Sequence, residues 1–175
     1  MTDLPYGVIT INDDVRLVQL QPEQADRIFY LTQTNRDYLS EFLPWVAHTK
    51  TVDDSRAFIM TMLRRRQIGA EYGYGIEYKG EIVGHSSLMH LSDGTTPEIG
   101  YWISAEYKGR GITSAVAKVL TAFAFHVLDR DIVQIRAEQR NGGSNRIAEK
   151  CGYRMAGTME EDGRILNVWK KARNE

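Results

Sequence analysis

The chain lacks most of the features that would fix a function at once. It carries one cysteine in 175 residues, so no intrachain disulfide can form, which fits a reducing cytoplasm. No stretch is long and apolar enough to cross a bilayer. The opening Met-Thr-Asp-Leu-Pro-Tyr has neither the basic region nor the apolar run of a signal peptide. The four histidines, His48, His85, His90 and His126, fall at no ligand spacing, so no metal is expected. Neither sign of charge is in excess: 22 Lys and Arg stand against 23 Asp and Glu, a formal net charge of −1. Broad attraction to nucleic acid or to an anionic membrane is thereby disfavoured. The one basic run, Arg64-Arg65-Arg66, ends a helical pattern, where cations suit the helix dipole.

What is present reads as a single α/β domain over residues 1–175, with no repeat or linker. Val15 to Leu20 alternates as a strand, and Pro22 starts a helix that runs to about Leu39 and ends before Pro44. A second helix, capped near Thr51, is expected to bury Phe58, Ile59, Met62 and Leu63. Glu71–Tyr78 and Glu81–Leu91 form a hairpin about Lys79-Gly80, with Tyr72, Tyr74, Ile76 and Tyr78 on one face. A strand over Glu98–Ser104 leads through glycines into a helix expected to bury Val116, Val119, Leu120, Phe123 and Val127. Then follow a strand over Ile132–Glu138 and a short helix over Ser144–Cys151, closed by Gly152. Two strands, Tyr153–Met159 and Ile165–Lys171, flank the turn Asp162-Gly163.

The glycines carry the chemistry. Gly109 and Gly111 lie where a loop enters a helix, and the unpaired N–H groups and positive dipole end there favour a phosphate. A P-loop is excluded, because neither Gly-x-x-x-x-Gly-Lys-Ser/Thr nor its lysine is present. A dinucleotide fingerprint fits poorly: Ser114 replaces the third glycine, and Ala105–Lys108 separate strand from loop. A plain glycine turn without a ligand remains the alternative for the loop taken alone.

Strand, Lys-Gly-Arg-Gly-Ile-Thr and amphipathic helix together resemble the acetyl-CoA pyrophosphate motif of the GNAT N-acetyltransferase superfamily, Gln/Arg-x-x-Gly-x-Gly/Ala. Lys108 and Thr113 depart from that pattern; Lys108 keeps the charge, and Thr113 leaves contact to its backbone. Glu98-Ile99-Gly100-Tyr101-Trp102-Ile103 resembles the Glu-Ile-Gly-Tyr-Trp-Leu/Ile strand of the RimJ/RimL type. Asn141-Gly142-Gly143-Ser144 with Ile147–Tyr153 is similar to the same type's Asn-x-x-Ser…Glu-Lys-x-Gly-Phe/Tyr segment. The resemblance implies a mixed, mostly antiparallel seven-stranded sheet with a splayed central pair and about four flanking helices. It also implies acetyl-CoA as co-substrate.

By the family pattern, Lys108, Gly109, Arg110, Gly111, Ile112, Thr113 and Ser114 hold the pyrophosphate, Asn141 contacts pantetheine, and the N–H of Trp102 or Ile103 meets the oxyanion. Ser144 stands near the CoA sulfur as acid or thiolate donor, with a helix cap as its alternative role. Glu98 is a candidate base or a partner for Arg136. Glu160 and Glu161 are carboxylates near the substrate entrance or a solvated turn. Cys151, at helical spacing with Ile147 and Ala148, reads as a buried thiol, and Trp45 as core anchor or acceptor wall. The implied acceptor is the N-terminal α-amine of a protein, such as a ribosomal protein. A small amine, or an acyl-CoA-binding module without turnover, are the alternatives. A cytoplasmic location and a possible homodimer complete the expectations.

Overall fold

Tyrosines alternating over residues 72–78 set the inner face of a single eight-stranded sheet in the computed structural model, which describes residues 6–175. Residues 1–5, read above for the absence of a leader, lie outside the described residues. The strands are β1 (Val8–Thr10), β2 (Val15–Val18), β3 (Tyr72–Tyr78), β4 (Glu81–Met89), β5 (Glu98–Ile103), β6 (Ile132–Glu138), β7 (Arg154–Glu161) and β8 (Arg164–Ala172). Their order is β1-β2-β3-β4-β5-β6-β8-β7. The helices are α1 (Ala25–Thr34), α2 (Arg36–Ser40), α3 (Val52–Gln67), α4 (Ile112–His126) and α5 (Gly142–Lys150). The strand beyond the seven expected is β1, a three-residue edge too short to carry a period-2 signal.

Two cores sandwich the sheet. On one face Tyr74, Ile76, Ile99, Val133 and Ile135 pack against Val116, Leu120 and Phe123 of α4 and Ala148 of α5. On the other, Ile82 and Trp102 meet Ile28, Leu31, Leu39, Val46 and Ile59 from α1 to α3. Each fully buried aliphatic side chain contributes on the order of 2 kcal/mol.

The structure departs from the expected elements in five places. The long helix from Pro22 to Leu39 is broken at Asn35, which is buried and bonds across to the sheet. Phe58 is 37% exposed, because it lies at the open side of α3 against His85. Val127 is exposed, since α4 ends one residue earlier. Arg66 is buried rather than solvated, its guanidinium 4.5 Å from the Tyr74 ring centroid and bonded to Gly73 O at 2.8 Å. α5 begins at Gly142, so its N-cap is Asn141, whose Oδ1 accepts the Ser144 N–H at 3.1 Å. Ser144 is therefore a residue of the first turn and not the cap.

Candidate active site

The site follows from a strand pair that separates. Every neighbouring pair in the sheet is antiparallel except β5 and β6, which are parallel and share one register pair, Glu98 with Gln134. Beyond it β5 stays on β4 while β6 turns to β8, and a wedge opens between Gly100–Ile103 and Arg136–Glu138. Hydrogen-bond parity fixes which groups face the wedge. Ser104 N–H donates to Val83 O on the β4 side, and Gln134 N–H donates to Pro97 O on the β6 side. Alternation along β5 then turns the N–H groups of Tyr101 and Ile103 into the wedge and that of Trp102 toward β4. Of the two expected oxyanion donors, Ile103 has the free direction and Trp102 does not.

A cavity of about 510 Å³ occupies this wedge. Its floor is Tyr101–Ile103, and one wall is Lys108–Ser114 with the start of α4. Asn141–Ser144 with Arg140, Arg146, Ile147 and Lys150 form the opposite wall, and Tyr38 and Leu39 of α2 with Phe42 and Leu43 just after it cover the cavity. Lys108, Arg110, Arg140, Arg146 and Lys150 bring five cations to the cavity, and no carboxylate is among the side chains lining it. In a chain of net charge −1 this is a local concentration of positive potential.

The first turn of α4 adds to that potential. Thr51 caps α3 and Asn141 caps α5 through side-chain oxygens, whereas the α4 N-terminus has no side-chain cap. Its first backbone bond runs from Ala115 N–H to Gly111 O, leaving the N–H groups of Gly111 to Ser114 without an intrahelical acceptor. Gly109 and Gly111 both have φ of 75°, the left-handed region that costs other residues about 1–2 kcal/mol. A dianion bound here would meet four amides and the positive end of a helix dipole.

Side chains around the cavity are braced. Lys108 Nζ lies 4.2 Å over the Tyr38 ring, and Arg110 rests on Tyr107 at 5.1 Å. Asn145 Oδ1 accepts from Trp169 Nε1 at 2.8 Å and Asn167 Nδ2 at 2.9 Å, which locks α5 onto β8. The Ser144 hydroxyl donates to Tyr101 Oη at 3.2 Å. Burial pushes the Tyr101 phenol up to about 12. Cys151 is buried, its thiol raised by desolvation and its Sγ 3.5 Å from Ser114 O.

The family model for the acetyltransferase (GNAT) domain matches residues 14–154. The chain belongs to the GNAT acetyltransferase family. Among curated relatives, YdaF of Bacillus subtilis (strain 168), provisionally named a ribosomal N-acetyltransferase, is 30% identical over 161 residues. That match covers 90% of this chain and 86% of YdaF. The ribosomal-protein-serine acetyltransferase of Escherichia coli (strain K12) is 23% identical over 87% of this chain and 86% of its own. In fold, the acetyltransferase matches microcin C7 self-immunity acetyltransferase MccE, crystallised with acetyl-CoA and AMP, with a TM-score of 0.89. Identity there is 24%, covering 97% of this chain and 98% of MccE.

The carboxylates of this GNAT acetyltransferase are arranged differently from the catalytic expectation. Glu98 does not line the cavity: it is buried at the still-paired start of β5, its Oε2 2.6 Å from Arg136 Nε and 3.1 Å from Gln134 Nε2. This is the Arg136 partnership. Glu160 stands exposed on β7, while its neighbour Glu161 reaches Arg136 Nη1 at 3.0 Å. Neither lines the cavity. Trp45 packs on Trp102 with ring centroids 5.9 Å apart and is 38% exposed, between core and wall. His85 lies beside Trp102 on the same face, and burial pushes it down to about 4, so it is neutral at neutral pH.

Arg140, Arg146 and Lys150 were not singled out in the sequence, though the i, i+4 spacing of Arg146 and Lys150 places both on one side of α5. Tyr38 and Phe42 had no signal, since only tertiary folding brings α2 over the cavity. Among the described residues, no cluster of His, Cys, Asp and Glu could hold a metal, and no helix is long and apolar enough to cross a membrane.

Proposed function

We propose that the chain transfers the acetyl group of acetyl-CoA to the N-terminal α-amine of a protein, with a ribosomal protein as the acceptor. The carrying observation is the uncapped α4 N-terminus and five cations beside a parted strand pair. That combination suits a long ligand with a polyphosphate at one end and an amide-bearing arm at the other. The ribosomal assignment is supported by the names of the relatives at 30% and 23% identity.

In this reading the amides of Gly109 to Ser114, with Lys108 and Arg110, bind the pyrophosphate, and Arg146 and Lys150 receive the remaining phosphate. The pantetheine arm lies along the free edge of β5 as an added strand. Asn141, whose Oδ1 already accepts from Ser144 and whose backbone N–H and carbonyl are engaged by Glu138 and Asn145, offers its Nδ2 to that arm. Ile103 N–H donates to the thioester oxygen as charge develops, an effect of about 3–4 kcal/mol for a donor in a dry site. Ser144 Oγ–H faces the departing sulfur.

The acceptor approaches from the α1–α3 face, past Trp45, Phe58 and the Glu160–Glu161 hairpin. An α-amine has a pKa near 8, so roughly a tenth of it is already nucleophilic at pH 7. Glu98, clamped by Arg136, orders this face, and the proton of the attacking amine leaves to water. Mass spectrometry of an acceptor panel tests the proposal. Peptides with a free N-terminus should gain one acetyl group at the α-amine, and N-blocked peptides none. Labelling of aminoglycosides or polyamines instead would establish a small-amine enzyme, and CoA binding without any product would establish a binding module.

A further inference from the structure

Tyr101 stands on the floor of the cavity, and neither its motif nor its family resemblance assigns it a role. Its phenol spans the wedge from β5 to α5. Oη donates to the Ser144 backbone carbonyl at 3.2 Å and accepts the Ser144 hydroxyl at 3.2 Å. Both residues line the cavity, and the α5 end of the contact is fixed by Asn141 on Ser144 N–H and by Asn145 on β8. Tyr101 also precedes Ile103 by two residues, so the same strand carries the inward N–H and the phenol.

A hydroxyl pair of this kind has two arrangements. In one, the Ser144 proton points at Tyr101 and the Tyr101 proton at the Ser144 carbonyl, as the distances allow. In the other, the Tyr101 proton swings to Ser144 Oγ and releases the Ser144 proton toward the cavity. A negative charge developing at the sulfur selects the second, and each hydrogen bond then strengthens the next. The phenol keeps its proton throughout, because burial holds it well above the pH at which amines are acylated.

Resting on the acetyl-transfer reading above, we propose that Tyr101 is the positioning residue that aims the Ser144 hydroxyl at the leaving sulfur. The amine lone pair forms the N–C bond, and the C–S pair departs on sulfur. The proton shed by the amine to water is the one sulfur acquires. Ser144 and Tyr101 contribute hydrogen bonds and end the cycle with their own protons.

The test is a double-substitution cycle with the full chain, using acetyl-CoA and a peptide with a free N-terminus. Tyr101→Phe should lower kcat on the order of tenfold, with KM for acetyl-CoA changed less than twofold. In a Ser144→Ala background the same substitution should change kcat less than twofold, because the group it positions is gone. Tyr101→3-fluorotyrosine, which keeps the hydroxyl, should retain kcat within twofold. An equal loss from Tyr101→Phe in both backgrounds, no loss at all, or a tenfold loss with 3-fluorotyrosine would overturn the assignment while leaving acetyl transfer standing. A wild-type chain that binds CoA and acylates no amine would overturn both.

Discussion

The side-chain oxygen of Asn35 accepts the backbone N–H of Ala105 at 2.9 Å, while its amide donates to Leu31 O at 2.8 Å and Ser104 Oγ at 3.1 Å. One buried side chain thus joins the α1–α2 break to the turn that leads from β5 into the glycine loop. Asn35→Ala leaves the Ala105 N–H and Leu31 carbonyl short of partners, at about 1–3 kcal/mol. We expect a lower Tm together with a raised KM for acetyl-CoA. Asn35→Asp keeps the acceptor but buries a carboxylate oxygen against the Leu31 carbonyl, and should destabilise at least as much. Thermal melts and steady-state kinetics on the two variants check this.

Gly111→Ala separates conformation from ligand contact. A Cβ there meets nothing within 4 Å in the protein, so the stability cost is the left-handed φ alone, about 1–2 kcal/mol. On the proposed pyrophosphate site, the affinity for CoA should fall further than that, by more than tenfold, because the added methyl would crowd the phosphate at the backbone. Denaturant unfolding and calorimetric titration with CoA read the two effects independently.

The cations of the cavity act as a group. Lys108→Glu and the pair Arg146→Ala/Lys150→Ala should each weaken CoA binding by tenfold or more with little change in Tm, since the side chains are solvent-facing. Binding to the wild-type chain should weaken steadily as salt rises from 50 to about 500 mM, where the screening length shortens severalfold. The slope should be shallower in the variants.

Arg136 bridges a buried carboxylate and an exposed one. Arg136→Met strands Glu98 without its countercharge and should cost about 3 kcal/mol or more, the usual penalty for an orphaned buried charge. Adding Glu98→Gln should recover most of the lost stability. A catalytic base would behave differently: Glu98→Gln alone would then abolish turnover, whereas the ion-pair role allows substantial activity once Arg136 is also changed. Chemical denaturation with kinetics on the single and double variants distinguishes them.

His85 makes the fold acid-sensitive. Its folded pKa of about 4 lies below the unfolded value of 6.5, so between those limits the unfolded chain binds a proton that the folded chain does not. Stability is full above pH 6.5 and falls as pH drops toward 4, by on the order of 3 kcal/mol from this group. His85→Gln should flatten that part of the stability–pH curve, as followed by urea unfolding at a series of pH values.

The glycine-loop wall of the cavity was legible because its geometry is local: a glycine pair at a strand–loop–helix junction uses neighbouring backbone atoms. The Glu98–Ile103 and Asn141–Tyr153 segments could likewise be placed from order and spacing. Four things were not. The break at Asn35 depends on a partner 70 residues away, at Ala105, and periodicity alone continues the helix through it. The choice between Trp102 and Ile103 turns on hydrogen-bond parity with β4, which a sequence does not carry. Glu98 has the same residue type whether it is a base or the partner of Arg136, and only the 2.6 Å contact distinguishes the two environments. Arg140 and Tyr38 are brought to the cavity by the packing of separate elements, and nothing nearby in the chain announces it.

On the proposed reading, the cleft beside α4 holds acetyl-CoA for attack by an α-amine. The most direct test is the rate of free-thiol release when the purified chain is mixed with acetyl-CoA and a peptide bearing an unblocked N-terminus. Sustained release that needs the free α-amine is expected, and Lys108→Glu should slow it through a higher KM for acetyl-CoA. Release no faster than without peptide, across protein N-termini of varied sequence, would contradict it.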